Sequence, residues 1–257
     1  MAYAHIASGV MDSAIAGGIE SSSLQPDRMY AAGDDREGLY KVAQFSPQDC
    51  SPLAMLEGAE RTIQKHNVVK EDLYPYIIGS HKRASEALNN PHLKSYIMPI
   101  TIDGKTCVDE CIRPKMNEKL LSRMKPLLGP NAITNAGNAC LTHDGAAFVY
   151  VSNEKGPFRI HSVMPWAGNP QFSPEGALES TEAILKRTGL TMDDIDVVEW
   201  NEAFAIIDVL FNKAYPKHLE KYNKLGGALA YGHPYGCSGV ILVLHCMAAL
   251  ESCNGRY

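Results

Sequence analysis

Two polar clusters in residues 199–239 constrain the fold of this chain more than any other feature of its sequence. The first, Asn201-Glu202, follows a short apolar run, and the second, Gly232-His233-Pro234, lies in a glycine-rich turn. Apolar residues follow both clusters, a pattern that predicts two strand-to-helix corners. Two such corners would deliver their polar groups to one place, so we expect Asn201 and His233 to lie side by side.

The composition excludes several classes of protein. The 257 residues are 45% hydrophobic and 21% charged, as in an ordinary soluble globular protein. A net charge of −5 argues against a nucleic-acid partner. The apolar run at residues 240–250 is interrupted by His245 and is too short to cross a bilayer, so no membrane partner is expected. Seven widely spaced cysteines favour a reducing compartment over a disulfide framework, and we expect a cytoplasmic location.

Alternating helix and strand patterns predict an α/β protein with covered sheets. Helices are predicted at residues 2–8, 55–66, 76–88, 117–128, 174–188, 203–214 and 238–250, and strands at residues 13–16, 96–102, 131–138, 146–152, 159–164 and 195–200. Pro75 is assigned to a first helical turn, Ser173 to an N-cap and Gly189 to a helix end. The last helix is apolar nearly all round, which predicts burial between two sheets.

Four sequence blocks in a fixed order give a more specific signal. They are Ala16-Gly17-Gly18-Ile19-Glu20-Ser21, then Asn135-Ala136-Gly137-Asn138-Ala139-Cys140 with Asp144-Gly145 behind it, then Asn201-Glu202-Ala203-Phe204-Ala205, and finally Gly226-Gly227 with Gly232-His233-Pro234-Tyr235-Gly236-Cys237-Ser238-Gly239. Over nearly the whole chain these blocks resemble those of the thiolase family of acyl-CoA C-acyltransferases, which includes the acetyl-CoA acetyltransferases. The resemblance implies the layered αβαβα thiolase fold, incomplete here, with an inserted loop domain.

The same resemblance divides the chain into four parts. Residues 1–30 would be a remnant of the N-terminal half, residues 31–130 the loop domain that covers coenzyme A, residues 131–155 the return to the N-terminal half, and residues 156–257 the C-terminal half without its last strands.

Thiolases make or break a carbon–carbon bond next to a thioester carbonyl, a reaction of fatty acid metabolism. This chemistry needs a thiolate nucleophile, a base and hydrogen-bond donors for the enolate oxygen. By resemblance, His233 supplies one donor and assists the nucleophile, while Asn201 holds the water that serves as the second donor. Glu202 is expected to support the corner rather than abstract a proton, and Gly232 and Gly236 belong to the turn. The resemblance also implies coenzyme A and acyl-CoA as partners, no permanently bound cofactor, and a homo-oligomer.

The predicted substrate-binding set is Gly137, Asn138 and Cys140. Cys140 stands where many thiolases carry a serine that contacts the pantetheine arm, and its alternative role is that of a small buried hydrophobe. Five basic residues could meet coenzyme A phosphates or could simply form solvated helix faces: Arg61, Lys65, Lys70, Lys82 and Arg83.

Other reactive side chains carry weaker hypotheses. Cys237 lies four residues after His233, but packing at a helix start is the favoured role. Cys107 and Cys111 have no second Cys/His pair at a suitable spacing, so no metal site is predicted. A Ser-His hydrolase that uses Ser238 is disfavoured because the Gly-x-Ser-x-Gly pattern is absent around it.

The resemblance also predicts where the two reactive cysteines of a thiolase would fall. One would precede Met1 by two to three helical turns, and the other would follow shortly after Tyr257. None of the seven cysteines matches either position. We therefore expect no turnover from these residues alone, and the alternative is a non-catalytic thiolase-like protein that acts as a binding or assembly partner.

Overall fold

The computed structural model describes residues 1–40 and 50–257; residues 41–49, inside the predicted loop domain, lie outside the described residues. The helices are α1 (Ala2–Ala7), α2 (Ala54–Lys65), α3 (Lys70–Ala87), α4 (Pro91–Tyr96), α5 (Glu118–Ser122), α6 (Gly176–Thr188), α7 (Ile206–Ala214), α8 (Ala228–Tyr231) and α9 (Ser238–Cys253). The strands are β1 (Ser13–Glu20), β2 (Arg28–Met29), β3 (Leu39–Tyr40), β4 (Thr101–Ile102), β5 (Lys105–Thr106) and β6 (Gly145–Ser152). Short 3₁₀ helices occupy Pro170–Glu175, Met192–Asp194 and Pro216–Lys221.

The longest sheet pairing joins β1 and β6 in antiparallel register, from Ser13 opposite Ser152 to Glu20 opposite Gly145. β1 continues through two glycines and so exceeds the predicted strand at residues 13–16. Glycine is needed because the chain packs closely here: a Cβ on Gly18 would lie 2.1 Å from the carbonyl oxygen of Gly236. The close approach places the turn that carries His233 directly on this strand.

The main core forms between α2, α3 and α7. Leu73 and Ile77 of α3 pack with Ile206 of α7 in one buried cluster. On the other side of α7, Phe211 stacks on Tyr222 with ring centroids 4.3 Å apart. These contacts fix α7, and therefore the chain immediately before it, where Asn201 and Glu202 lie.

Two predicted helices have different bounds in the structure. α3 begins at Lys70 because the Asp72 carboxylate accepts a hydrogen bond from the Val69 amide, so Pro75 lies inside the helix and not in a first turn. The predicted helix at residues 117–128 is mostly wrong, since α5 ends at Ser122. The chain beyond it pairs with the segment a few residues further on instead, and the Leu127 amide donates to the Thr134 carbonyl.

The predicted strand at residues 131–138 is also wrong. The Glu60 carboxylate accepts hydrogen bonds from the Ile133 and Thr134 amides and from the Thr134 hydroxyl at 2.7–3.1 Å. These amides are therefore not available to a strand ladder. A distant side chain replaces the strand partner that the sequence pattern suggested.

Residues 195–200 are buried or half-buried but do not form the predicted strand. Val198 makes an isolated parallel bridge to Tyr222, and the Trp200 amide donates to Oδ1 of Asn223. The predicted strand at residues 159–164 is irregular as well. Residues 96–102 contribute the end of α4 and one arm of a hairpin, whose turn has left-handed φ values at Asp103 and Gly104.

Two expectations for the C-terminal helices need correction. Ser173 lies inside a 3₁₀ helix and does not cap α6, although Gly189 ends α6 in a left-handed conformation as predicted. α9 packs on α4 and β6, yet Val243 is 46% exposed, so the helix is not enclosed between two sheets. Within the part of the chain that the structure describes, no helix has the length and apolarity needed to cross a membrane.

Candidate active site

The two corners predicted from the sequence meet in the structure. Nδ2 of Asn201 lies 3.1 Å from Nε2 of His233. Asn201 stands just before α7, and His233 stands between α8 and α9. The two polar clusters are thus brought side by side although 32 residues separate them.

The backbone around His233 fixes the position of the imidazole. The His233 amide donates to the Leu141 carbonyl at 2.8 Å, and His233 forms a parallel bridge with Thr142. Gly232 adopts φ +87°, a conformation that favours glycine, and a Cβ there would lie 2.9 Å from the His143 side chain. On the far side of the turn, the Gly236 amide donates to the Glu20 carboxylate at 3.0 Å.

The second ring nitrogen of His233 has its own partner. Nδ1 lies 2.6 Å from Oγ of Ser238, the first residue of α9. The Ser238 hydroxyl in turn donates to the Pro234 carbonyl at 2.8 Å. Both imidazole nitrogens are therefore held by side chains on either side of the ring.

The environment of His233 favours the neutral imidazole. Burial lowers the pKa of His233, while the nearby Glu20 carboxylate opposes that shift. Tyr235 packs edge to face against the imidazole, with ring centroids 4.7 Å apart and an interplanar angle of 87°. A neutral imidazole offers one N–H and one lone pair at fixed positions.

Glu202 belongs to a buried network next to the corner, and among the described residues its hydrogen bonds and ion pairs do not include His233. Its side chain is fully buried and accepts hydrogen bonds from the Ser80 hydroxyl at 2.5 Å and from Nδ2 of Asn223 at 2.9 Å. The Arg83 guanidinium lies 3.6 Å from the same carboxylate. These contacts hold the corner that presents Asn201.

Two further buried carboxyl groups lie near this network. They belong to Glu199 and Asp208, and the Tyr222 hydroxyl lies beside Asp208. Burial, together with the charge of Glu202, raises the pKa of Glu199 and of Asp208 well above the usual range. Burial therefore favours the neutral, protonated form of both groups.

The predicted substrate-binding set lies beside the Asn201 corner. The Cys140 amide donates to the Ala203 carbonyl at 2.9 Å, and burial raises the pKa of the Cys140 thiol to about 12. The Asn138 side chain is used within its own turn: it accepts from the Asn135 amide and donates to the Ile133 carbonyl. Gly137 adjoins Leu121, which a Cβ would approach to 2.9 Å. A direct substrate contact from Asn138 or Gly137 stays a prediction.

Cys237 is buried, and burial raises the pKa of its thiol. Its sulfur lies next to Gly145, where a Cβ would meet it at 3.2 Å, in agreement with a packing role. Among the described residues, no cluster of three or more His, Cys, Asp or Glu side chains is arranged to hold a metal ion.

Four of the five basic residues considered for phosphate binding have intramolecular partners. Arg61 donates to the Gln171 carbonyl, Lys65 to Glu175, Lys70 to the Ser122 carbonyl, and Arg83 to the Asn223 carbonyl. These contacts favour a structural role for the four side chains.

Sequence reasoning missed the roles of three residues near the corner. Ser80 and Asn223 hold Glu202, and Ser238 holds His233. Ser80 and Asn223 gave no local signal, because their partners lie on other elements. Ser238 could have been found from its position, four residues after Pro234 at a helix start, where a hydroxyl often bonds to the preceding carbonyl.

Family models match almost the entire chain. Residues 1–155 match the model of the thiolase N-terminal domain, and residues 158–257 match that of the thiolase C-terminal domain.

Relatives and solved structures agree with these matches. The chain is 33% identical over 244 residues to VraB of Staphylococcus epidermidis, named as a provisional acetyl-CoA C-acetyltransferase, with 89% of this chain covered. It is 32% identical over 266 residues to the steroid 3-ketoacyl-CoA thiolase FadA6 of Mycobacterium tuberculosis, with 98% covered. It spans 63% and 65% of the lengths of these two relatives. The crystal structure of human mitochondrial 3-ketoacyl-CoA thiolase in complex with CoA superposes with a TM-score of 0.84 at 26% identity, covering 98% of this chain and 68% of that one.

Proposed function

Because this chain belongs to the thiolase family and has the thiolase α/β fold, we propose that it binds acyl-CoA thioesters at Asn201 and His233. The reaction class is acyl-CoA C-acyltransfer, in which a carbon–carbon bond next to the thioester carbonyl is made or broken. Neither direction nor acyl chain length is part of the proposal. The observation that carries it is the 3.1 Å contact between Asn201 and His233 at the meeting of the two corners.

The chemistry of the two side chains supports this role. Asn201 turns its amide nitrogen toward His233, and no hydrogen bond to its Oδ1 is found among the described residues. The carbonyl oxygen is thus available to hold a water molecule, which could donate to the thioester oxygen. An amide does not titrate, so it holds the water in the same way across the physiological pH range. His233 would assist an attacking thiol and donate to the thioester oxygen.

The supporting residues act through this pair. Glu202 would hold the Asn201 corner through Ser80 and Asn223, and Gly232 and Gly236 would shape the turn that carries His233. Cys140 would lie beside the bound pantetheine arm. Cytoplasmic location and assembly as a homo-oligomer stay predictions from the composition and the resemblance.

Turnover by the 257 residues themselves is a separate part of the proposal. The two cysteines that adjoin the corners, Cys140 and Cys237, both have thiol pKa values raised by burial, the opposite of what a thiolate nucleophile needs. We therefore expect the chain to bind thioesters without turning them over. The competing function is that of a non-catalytic binding or assembly partner.

Calorimetric titration with acetyl-CoA and with coenzyme A tests the binding. Coenzyme A lacks the thioester carbonyl, so the difference between the two affinities reports on that oxygen. We expect Asn201→Ala and His233→Gln to weaken acetyl-CoA binding about tenfold, the equivalent of one lost hydrogen bond, and to change coenzyme A binding much less. The exposed His161, changed to Gln, serves as the matched control. Equal affinity of wild type and both variants for acetyl-CoA would reject the site.

Turnover is tested by incubation with acetoacetyl-CoA and coenzyme A while acetyl-CoA is monitored. No product is expected. Product that disappears in Cys140→Ala or Cys237→Ala would show that one of these thiols acts as the nucleophile, against the proposal.

A further inference from the structure

The end of β1 and the residues just after it hold the chain on both sides of His233. β1 ends at Glu20, whose carboxylate accepts a hydrogen bond from the Gly236 amide at 3.0 Å. Two residues later, the Ser22 hydroxyl donates to the His143 carbonyl at 3.1 Å. These contacts connect the first of the four sequence blocks, residues 16–21, to the candidate site.

The turn that carries His233 is anchored at two points. Before the ring, the His233 amide donates to the Leu141 carbonyl at 2.8 Å, and the segment that begins at Leu141 is bonded in turn to residues 22 and 23. After the ring, the Gly236 amide donates to Glu20. Because the two anchored amides lie on either side of the imidazole, the loss of one anchor would leave the turn free to rotate about the other.

Two glycines allow the Glu20 carboxylate to reach its partner. Gly18 and Glu20 lie on the same face of β1, because alternate residues of a strand share a face. A Cβ on Gly18 would collide with the Gly236 carbonyl oxygen, and a Cβ on Gly236 would collide with the Ile19 carbonyl oxygen. The turn therefore lies directly on the strand. In agreement with this, burial and then the Glu20 charge raise the pKa of the next residue in the turn, Cys237.

We infer that Glu20 is a positioning residue, whose carboxylate ties the far end of the 232–236 turn to β1 and thereby holds His233 against Asn201. The consequence for ligand binding rests on the proposed thioester function. Nε2 of His233 meets Nδ2 of Asn201 at 3.1 Å. A shift of the turn by about 1 Å would break this contact, since a separation of about 4 Å is too long for a hydrogen bond.

The proposed role depends on the length of the side chain and on its acceptor oxygen, and not on negative charge alone. Glu20→Gln keeps the length and an oxygen that accepts from the Gly236 amide. Glu20→Asp keeps the charge, but its side chain is one methylene shorter and does not reach that amide. Glu20→Ala removes the acceptor. A purely electrostatic role would be preserved in the Asp variant and lost in the Gln variant, whereas positioning gives the opposite result.

NMR of the ligand-free protein tests the inference independently of thioester binding. We expect the Gly236 amide to exchange with solvent about fivefold faster in Glu20→Ala than in wild type, as for the loss of one hydrogen bond. Glu20→Asp should behave like the Ala variant, and Glu20→Gln like wild type. The side-chain amide protons of Asn201, identified by their loss in Asn201→Ala, report on the contact with His233. Their chemical shifts should change in the Ala and Asp variants only.

Asp12 provides the matched control. It precedes β1 at the opposite end, where its carboxylate accepts a hydrogen bond from Nδ2 of Asn153 at 2.9 Å. Asp12→Ala removes an acid and a hydrogen bond from the same strand pair, roughly 25 Å from Glu20. The Gly236 and Asn201 signals should remain as in wild type.

Calorimetric titration with acetyl-CoA and coenzyme A tests the consequence for the site. The preference for acetyl-CoA should fall about fivefold in Glu20→Ala and Glu20→Asp and be kept in Glu20→Gln and Asp12→Ala. A wild-type protein without this preference would reject the proposed function, while the NMR spectra would still decide the role of Glu20.

Three results would overturn the inference. They are a Glu20→Asp spectrum identical to that of wild type, unshifted Asn201 signals in Glu20→Ala, and a wild-type Gly236 amide that exchanges as fast as in the unfolded chain. The last of these decides the question even if no Glu20 variant folds.

Discussion

The Ser80 hydroxyl donates a 2.5 Å hydrogen bond to the Glu202 carboxylate across 122 residues of sequence. Through this contact α3, which belongs to the predicted loop domain, fixes the corner that presents Asn201. Asn223 binds the same carboxylate and also bonds the backbone of Trp200 on both its N–H and C=O. The geometry of the candidate site therefore depends on a buried polar network outside the two motifs.

Removal of the Glu202 carboxylate should destabilise the fold. We expect Glu202→Ala to lower the free energy of unfolding by about 3 kcal/mol, the low end of the range for a broken buried ionic contact, because the Arg83 side chain is 32% exposed. Glu202→Gln keeps the shape and should lose about 1–2 kcal/mol. Urea unfolding measures both values.

The matched control for Glu202 is Glu86, an exposed acid on α3. Glu86→Gln should change stability by less than about 0.5 kcal/mol. A Glu202→Ala variant as stable as the Glu86 variant would show that the network does not support the corner.

Gly227 is expected to tolerate no side chain. A Cβ at this position would lie 2.5 Å from the buried Glu202 carboxyl, in a site already filled by hydrogen bonds. Gly227→Ala should therefore cost about 1–3 kcal/mol through overpacking. At Gly176, where φ is −58° and nothing lies within 4 Å of a Cβ, the same change should stabilise by about 0.4–1 kcal/mol. Thermal unfolding of the two variants would contradict this prediction if both shifted in the same direction.

The sequence predicted the parts of the fold that depend on local patterns. The meeting of Asn201 and His233 was predicted from two polar clusters, each of which is followed by apolar residues. Gly189 ends its helix because a left-handed residue was needed there, and glycine provides it without strain. In such cases the residue that decides the structure lies within a few positions of the element it affects.

The parts that could not be predicted depend on distant side chains. The Glu60 carboxylate accepts hydrogen bonds from the Ile133 and Thr134 amides, 73 and 74 residues away in sequence. Residues 131–138 therefore do not form the predicted strand. The Trp200 amide donates to the side chain of Asn223, 23 residues further along the chain, and not to a neighbouring strand. Ser80 likewise gave no hint of its bond to Glu202. The periodicity of the sequence carries no information about these long-range partners. Their tertiary contacts override the local preference for a strand.

The rate at which each cysteine is alkylated should depend on how buried its thiol is and not on the sequence motif in which it lies. The rise of the Cys140 pKa from 9.0 to about 12 lowers its thiolate fraction near neutral pH about a thousandfold. We expect iodoacetamide to modify the exposed Cys50, Cys107 and Cys253 first and the buried Cys237 and half-buried Cys140 at least about tenfold more slowly. Peptide mass spectrometry over a time course measures each site.

Labelling in denaturant is the control for intrinsic reactivity, since all seven thiols should then react at similar rates. Rapid modification of Cys140 in the folded protein would contradict the assignment of this residue as an inert contact. It would also reopen the question of whether Cys140 acts as a nucleophile.

Asp208 should make the stability of the fold depend on pH. It is 1% exposed, and burial, followed by the Glu202 charge, raises its pKa. Above about pH 4 the unfolded chain releases the Asp208 proton while the folded chain retains it. Because the folded state then binds more protons, this residue lowers stability progressively as the pH rises toward its folded-state pKa.

Asp208→Asn replaces the buried acid by an amide of the same shape that cannot ionise, so this pH-dependent loss disappears. Relative to wild type, we expect the variant to gain stability steadily between pH 5 and pH 8, with the difference in free energy of unfolding measured by urea titration at each pH. Glu199, whose pKa is also raised by burial, keeps its own contribution of the same sign in both proteins. The exposed Asp35, changed to Asn, should leave the slope nearly as in wild type. Parallel pH profiles for wild type and Asp208→Asn would mean that Asp208 is not the neutral acid its surroundings require.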